Sequence, residues 1–328
     1  MISNRVYSRA HGSALGRALA LIATCVQALF VVACVSEVAD HEAETAGSAP
    51  EHGELQEQTS GLVINNGYTR SDDKLKPVLM IHGVEATGPR TNCQNAFKWD
   101  SSSDLTDKLR SAGFSDDLHL IGYYENDFNC DVYLDEEPAN SPAITITPNT
   151  SIRVIARLFA WHIYRIYSSK ERAVDIVAHS MGGLITRYAL YRVAAQDPDF
   201  PPYLLVEDVV NTSTPHAGST PLAQLCSTNT QCQEMQPGSA LLNELAANAQ
   251  QPEGLGPLGG GSTQGGTDWT LLSSEYDAIV NTTSARAMTA DHEPTPYPWN
   301  YLIGHNGYYS KAVVAEQAIP VALQYGSQ

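Results

Sequence analysis

The segment Ala178-His179-Ser180-Met181-Gly182-Gly183 directly follows a short apolar run, Ala173–Ala178, and opens a stretch with helical spacing. It fits the pattern G-x-S-x-G, with alanine in the first glycine position. A sharp strand-to-helix turn needs small residues two before and two after the serine, because larger side chains there would strike neighbouring backbone. Such a turn lifts Ser180 Oγ clear of a sheet, at the positive end of a helix where a developing oxyanion is stabilised. The chemistry this implies is nucleophilic attack on a carbonyl carbon. The bland alternative is a serine that only caps a helix; the strand before and the helix after count against it.

These residues resemble the α/β-hydrolases of the secreted bacterial lipase and esterase type. AHSMGG is similar to the elbow of Bacillus-type lipases, in which alanine replaces the first glycine. PVLMIHG, residues 77–83, resembles their first strand and oxyanion loop, and NTSTPHAG, residues 211–218, the stretch after the strand that follows the elbow. The resemblance runs over most of residues 75–325. It implies an acyl-serine mechanism with chain order serine, acid, histidine. Downstream of Ser180 stand His216, His292 and His305. His216 comes too early, with no acid-bearing strand before it, and lies in a motif whose histidine is not the base. His305 sits in a loop before the closing helical segment, as the resemblance requires, and is preferred to His292. For the acid, Asp277 in S-S-E-Y-D-A-I-V matches the pattern S-x-x-D-x-I/V-V; Glu275 and Asp291 are its rivals. The expected catalytic set is therefore Ser180, Asp277 and His305. The oxyanion would bind the backbone N–H groups of Met181 and, by resemblance, Val84. No metal or organic cofactor is expected. His82 and His179 read as structural residues that pack the loop and the elbow.

Positioning these groups needs strands that end in loops. Pro77–Ile81, Leu118–Tyr123, Ala173–Ala178 and Leu204–Val210 are apolar runs of the kind buried on both faces of a parallel sheet. Trp269–Leu272 and Ala285–Met288 are weaker strand candidates. Helical spacing marks Ser101–Ala112, Ser151–Tyr167 (Ile152, Ile155, Phe159, Ile163, Ile166), Met181–Ala195 and Ser310–Leu323. The alternation predicts an α/β fold, a mainly parallel sheet with helices on both faces. Residues 126–148 read as an irregular acidic excursion. Residues 215–268 form an insertion or cap after the strand that follows the elbow. Leu241, Leu242 and Leu245 there suit one face of a short helix, either packed on the sheet or serving as a lid.

The ends of the chain carry a different message. Residues 1–17 hold Arg5, Arg9 and Arg17 and no acid, and an apolar run follows from Ala18 to Ala33. This is a secretory signal pattern. Val31-Val32-Ala33-Cys34 resembles a bacterial lipobox, which would make residues 1–34 a signal and Cys34 a lipidated anchor at the cell envelope. Residues 35–60 contain seven acids and no Lys or Arg, the composition of a disordered, solvated tether. Residues 61–328 would be the catalytic domain. An exported bacterial protein, secreted or lipid-anchored, is the expectation. Its remaining cysteines are Cys93, Cys130, Cys226 and Cys232; an even number in an exported chain suggests two disulfides. Cys226–Cys232 with Cys93–Cys130 is favoured among the three pairings, with four free thiols as the alternative. With 36 acids against 19 basic residues, the formal charge is −17. That excludes nucleic acid as a partner, because phosphate binding needs clustered Lys and Arg. The expected partner is an ester or lipid substrate, met at a lipid or polymer interface.

Overall fold

The computed structural model describes residues 73–85, 90–134, 144–254 and 266–325, all within the compact unit Gly61–Gln328. The signal, Cys34 and the acidic tether lie outside the described residues, as does most of the glycine-rich stretch 254–266. Among the described residues no helix is long and apolar enough to cross a membrane.

Six strands form one sheet: β1 (Val78–Ile81), β2 (Leu118–Gly122), β3 (Val132–Tyr133), β4 (Val174–His179), β5 (Val206–Thr212) and β6 (Asp268–Leu272). Their order is β3-β2-β1-β4-β5-β6 and every pairing is parallel. The continuous apolar runs in the sequence follow from this, since both faces are covered. Along β1, Leu79 and Ile81 face one core while Val78 and Met80 face another. β4 divides likewise, with Ile176 and Ala178 on the first side and Val177 on the second.

The first core is closed by α3 (Ile152–Ile166) and α4 (Met181–Ala194), and the second by α1 (Cys93–Ala96), α2 (Leu105–Ser111) and the closing segment 313–322. The three/four rhythm of α3 buries Ile152, Ile155, Phe159 and Ile163, whereas Ile166, at its last turn, is largely exposed. Each buried aliphatic or aromatic side chain contributes about 1.5–3 kcal/mol. The closing segment is a π-helical stretch, Val313–Ala318, that runs into α9 (Ile319–Ala322).

Two elements differ from expectation. Ala285–Met288 is not a strand: α8 (Thr282–Ala285) occupies its start, capped by Asn281, whose side chain accepts from Ser284 N. The capping asparagine outweighs a four-residue stretch, interrupted by Arg286, that is too short to fix a period. β3 is only two residues long, and it falls where the sequence reads as irregular.

The insertion carries α5 (Thr220–Leu225), α6 (Thr230–Glu234) and α7 (Ala240–Asn248). Leu241, Leu242 and Leu245 enter the first core beside Cys232 and Met235. Two reciprocal caps hold it there. Glu234 of α6 accepts from Ile152 N at 2.7 Å and from Ser151 Oγ at 2.5 Å, at the start of α3. Arg187 of α4 donates to the carbonyls of Leu245 and Ala249, at 3.0 and 2.9 Å, at the end of α7. Each charge stands at the helix end whose dipole favours it. α6 and α7 are thus packed helices. α5 is different, because Leu225 is 66% exposed.

Candidate active site

Ser180 follows β4 with φ 52° and ψ −121°, a strained conformation for a residue with a side chain. Its neighbours must be small. A Cβ on Gly182 would lie 2.4 Å from the Ile81 carbonyl oxygen, and one on Gly183 would lie 2.0 Å from Thr214 Oγ1. The elbow therefore packs directly on the end of β1 and on the segment after β5.

The structure brings Ser180, His305 and Asp277 together. Ser180 Oγ and His305 Nε2 are 2.9 Å apart, and His305 Nδ1 is 3.0 Å from Asp277 Oδ2. Asp277 follows β6 and sits 5% exposed. Burial pushes its carboxyl up, but hydrogen bonds from His305, Ser213 and Val280 outweigh this and hold it below the usual carboxylate range. Its Oδ1 accepts from Ile279 N and Val280 N, at 2.9 and 3.0 Å. His305 lies in the loop before the closing segment. His179 anchors that loop by donating from Nε2 to the His305 carbonyl at 2.8 Å. Burial, with the neighbouring His305 as a lesser cause, pushes His179 down to about 3, so the ring is neutral.

Ser213 is a participant that the sequence did not reveal. It follows β5 with φ 54° and is fully buried. Its hydroxyl donates to Asp277 Oδ2 and lies 2.9 Å from His305 Nδ1. Only the fold brings this serine to the acid, 64 residues away in the chain.

A cavity of about 430 Å³ opens onto this group. Val84, Glu85, Asn92 and Asn95 line one part, and Leu222, Leu225 and Ile279 another. Met181 is the first residue of α4, so its amide has no partner within its own helix. Val84 lines the cavity beside Gly83, whose own Cβ, if it had one, would stand 2.8 Å from Ser180 Cβ.

The remaining histidines stand apart from this chain of bonds. His216 is buried, and its Nδ1 accepts from Arg187 Nη1 at 3.2 Å; burial, and then the arginine charge, drives it well below its ordinary value. His292 N donates to the Trp269 carbonyl and its own carbonyl accepts from Leu271 N, while its ring lies tilted against Tyr325. Of the rival acids, Glu275 accepts from Trp299 N and Asp291 from Trp269 N. Among the described residues the cysteines are joined as Cys93–Cys130 and Cys226–Cys232.

No protein-family model and no curated protein matches the sequence. Solved structures do. Phospholipase PlaB from Legionella pneumophila is 14% identical with a TM-score of 0.50, over 77% of this chain and 60% of that one. The mature Bacillus licheniformis lipase BlEst2 is 16% identical with a TM-score of 0.47, over 77% of this chain and 93% of that one. Aspergillus fumigatus lipase B is 16% identical with a TM-score of 0.46; this chain spans 53% of its length. The parallel sheet, the strained serine between β4 and α4, and the likeness to PlaB together give this chain the α/β-hydrolase fold.

Proposed function

We propose that this protein is a serine ester hydrolase of the lipase or esterase kind. The observation that carries the reading is the continuous path Ser180 Oγ–His305 Nε2, His305 Nδ1–Asp277 Oδ2 at 2.9 and 3.0 Å. In this reading His305 removes the hydroxyl proton as Ser180 Oγ attacks the ester carbonyl carbon. The tetrahedral oxyanion accepts from the amides of Met181 and Val84. His305 then delivers the proton to the leaving alcohol, and the acyl-serine remains. Water, deprotonated by His305, attacks the acyl carbon; the bond to Ser180 Oγ breaks, His305 returns the proton to that oxygen, and the acid leaves. Asp277 fixes the histidine tautomer and stabilises its cation throughout. Leu222, Leu225 and Ile279 are the apolar wall for an acyl chain, which favours acylglycerols and other carboxylic esters with aliphatic acyl groups. Two disulfides support the reading of an exported chain.

The test is covalent labelling by a fluorophosphonate probe, with Ser180→Ala beside the wild type. Labelling and p-nitrophenyl ester hydrolysis that both vanish in the variant are the expected result. Near wild-type hydrolysis by Ser180→Ala overturns the proposal. A chain-length series of p-nitrophenyl esters, run beside triolein and an amorphous polyester, then identifies the substrate.

A further inference from the structure

A cluster behind the oxyanion loop takes no direct part in that mechanism. Tyr123 follows β2 and Asp127 stands four residues on; both are buried, as is His82 at the end of β1. Tyr123 Oη donates to the Gly83 carbonyl at 2.6 Å, and His82 Nδ1 lies 2.8 Å from the same oxygen. The His82 ring stacks on Tyr123, with centroids 4.2 Å apart and planes 16° apart. Its Nε2 lies 3.0 Å from Asp127 Oδ2. Both ring nitrogens thus face oxygen atoms of neighbouring groups. Asp127 in turn accepts from Tyr123 N, Tyr124 N and Thr91 N, at 2.8, 2.9 and 2.6 Å. Burial pushes its carboxyl up, but the bonds from His82 and the two tyrosine amides outweigh burial and keep it below the usual range.

What this does to catalysis follows from the geometry of one peptide. In a trans peptide the carbonyl and the following N–H point in opposite directions. The Gly83 carbonyl and the Val84 N–H belong to the same plane. A carbonyl held inward by two donors turns the Val84 N–H outward, toward the cavity that Val84 and Ser180 share. Resting on the ester-hydrolase reading, we infer that Tyr123 and His82, backed by Asp127, are positioning residues that hold the Gly83–Val84 peptide in its oxyanion-binding orientation before substrate arrives. Without them the peptide is free to rotate, and the hole must be formed at the cost of part of the barrier reduction it supplies.

Tyr123→Phe removes one donor and keeps the ring that stacks on His82. The expected result is a fall in kcat of about 10–100-fold for a p-nitrophenyl ester, part of the 10²–10³-fold that losing a whole oxyanion donor typically costs. KM should stay within about twofold, since ground-state binding is untouched. Affinity for an aryl trifluoromethyl ketone, whose serine adduct places an oxyanion in the hole, should fall by the same factor as kcat. A merely structural role would lower the melting temperature without this parallel. Asp127→Asn, which breaks the support one step further back, should show the same pattern at smaller amplitude and decides the matter if Tyr123→Phe does not fold. Unchanged kcat and ketone affinity in a folded variant overturn the inference and leave the hydrolase reading standing. An inert wild type overturns the hydrolase reading itself, and this inference with it.

Discussion

Asp277 collects four donors, His305 Nδ1, Ser213 Oγ and the amides of Ile279 and Val280, in a place where burial alone would push its carboxyl up. Its folded pKa is depressed, so the charge it supplies is present above the ordinary carboxylate value of about 3.9 and is lost only as pH falls through the lower folded value. Asp277→Asn keeps the shape and removes the charge. Stopped-flow hydrolysis should show kcat lower by about 10³–10⁴-fold, because the amide favours the wrong imidazole tautomer. The meeting of Ser180, Asp277 and His305 was legible in the sequence because each sits in a short motif near a strand end and the order along the chain is constrained. Ser213, Tyr123 and Asp127 were not. Their partners are 64, 40 and 45 residues away, and no local pattern marks a side chain whose use is created by packing. His179 was legible as a structural residue but not as the anchor of the His305 loop.

At the scale of elements, the apolar runs gave five strands to within two residues at either end, since a strand buried on both faces leaves an unbroken hydrophobic signature. β3 escaped because two residues carry no periodicity, and α8 because its cap, not its hydrophobicity, defines it. The two disulfides constrain different elements. Cys93–Cys130 spans 37 residues and brackets the turn that holds Asp127; Cys226–Cys232 spans six residues and pins α5 to α6. On chain-entropy grounds the first contributes about 4 kcal/mol and the second about 2 kcal/mol. Urea unfolding of Cys93→Ser/Cys130→Ser and of Cys226→Ser/Cys232→Ser should reproduce that order. Equal losses would mean that native contacts around the longer loop, and not its closure, set its stability.

Across the whole molecule, the strand direction collects Ser180, Asp277, His305 and the His82–Val84 segment at the carboxyl ends of the sheet. The opposite ends hold a buried charge cluster. Lys76 Nζ lies 2.5 Å from Glu207, 3.2 Å from Asp175 and 3.5 Å from Asp208, all nearly inaccessible to solvent. Burial pulls the lysine down, but the three carboxylates outweigh it and raise the net value. Asp175 is driven well above the carboxylate range, chiefly by burial and then by Asp208. A carboxyl with a raised folded pKa holds its proton more tightly in the native state, so its contribution to stability declines as pH rises from about 3.9 through the folded value. Lys76→Met should cost about 3–5 kcal/mol, because it leaves carboxylates buried without their cation. Asp175→Asn should flatten the pH dependence and raise the melting temperature at neutral pH. Thermal unfolding of both variants between pH 5 and pH 8 checks the pair; a destabilised Asp175→Asn would mean that the ionised carboxylate is needed.

The parallel sheet separates these two poles by the length of its strands. Inheritance can work on them one at a time. If the proposed ester chemistry holds, loops at the Ser180 pole are at liberty to drift toward new acyl groups or alcohols, and losses in folding free energy incurred there are recoverable by substitutions among the four residues at the other pole.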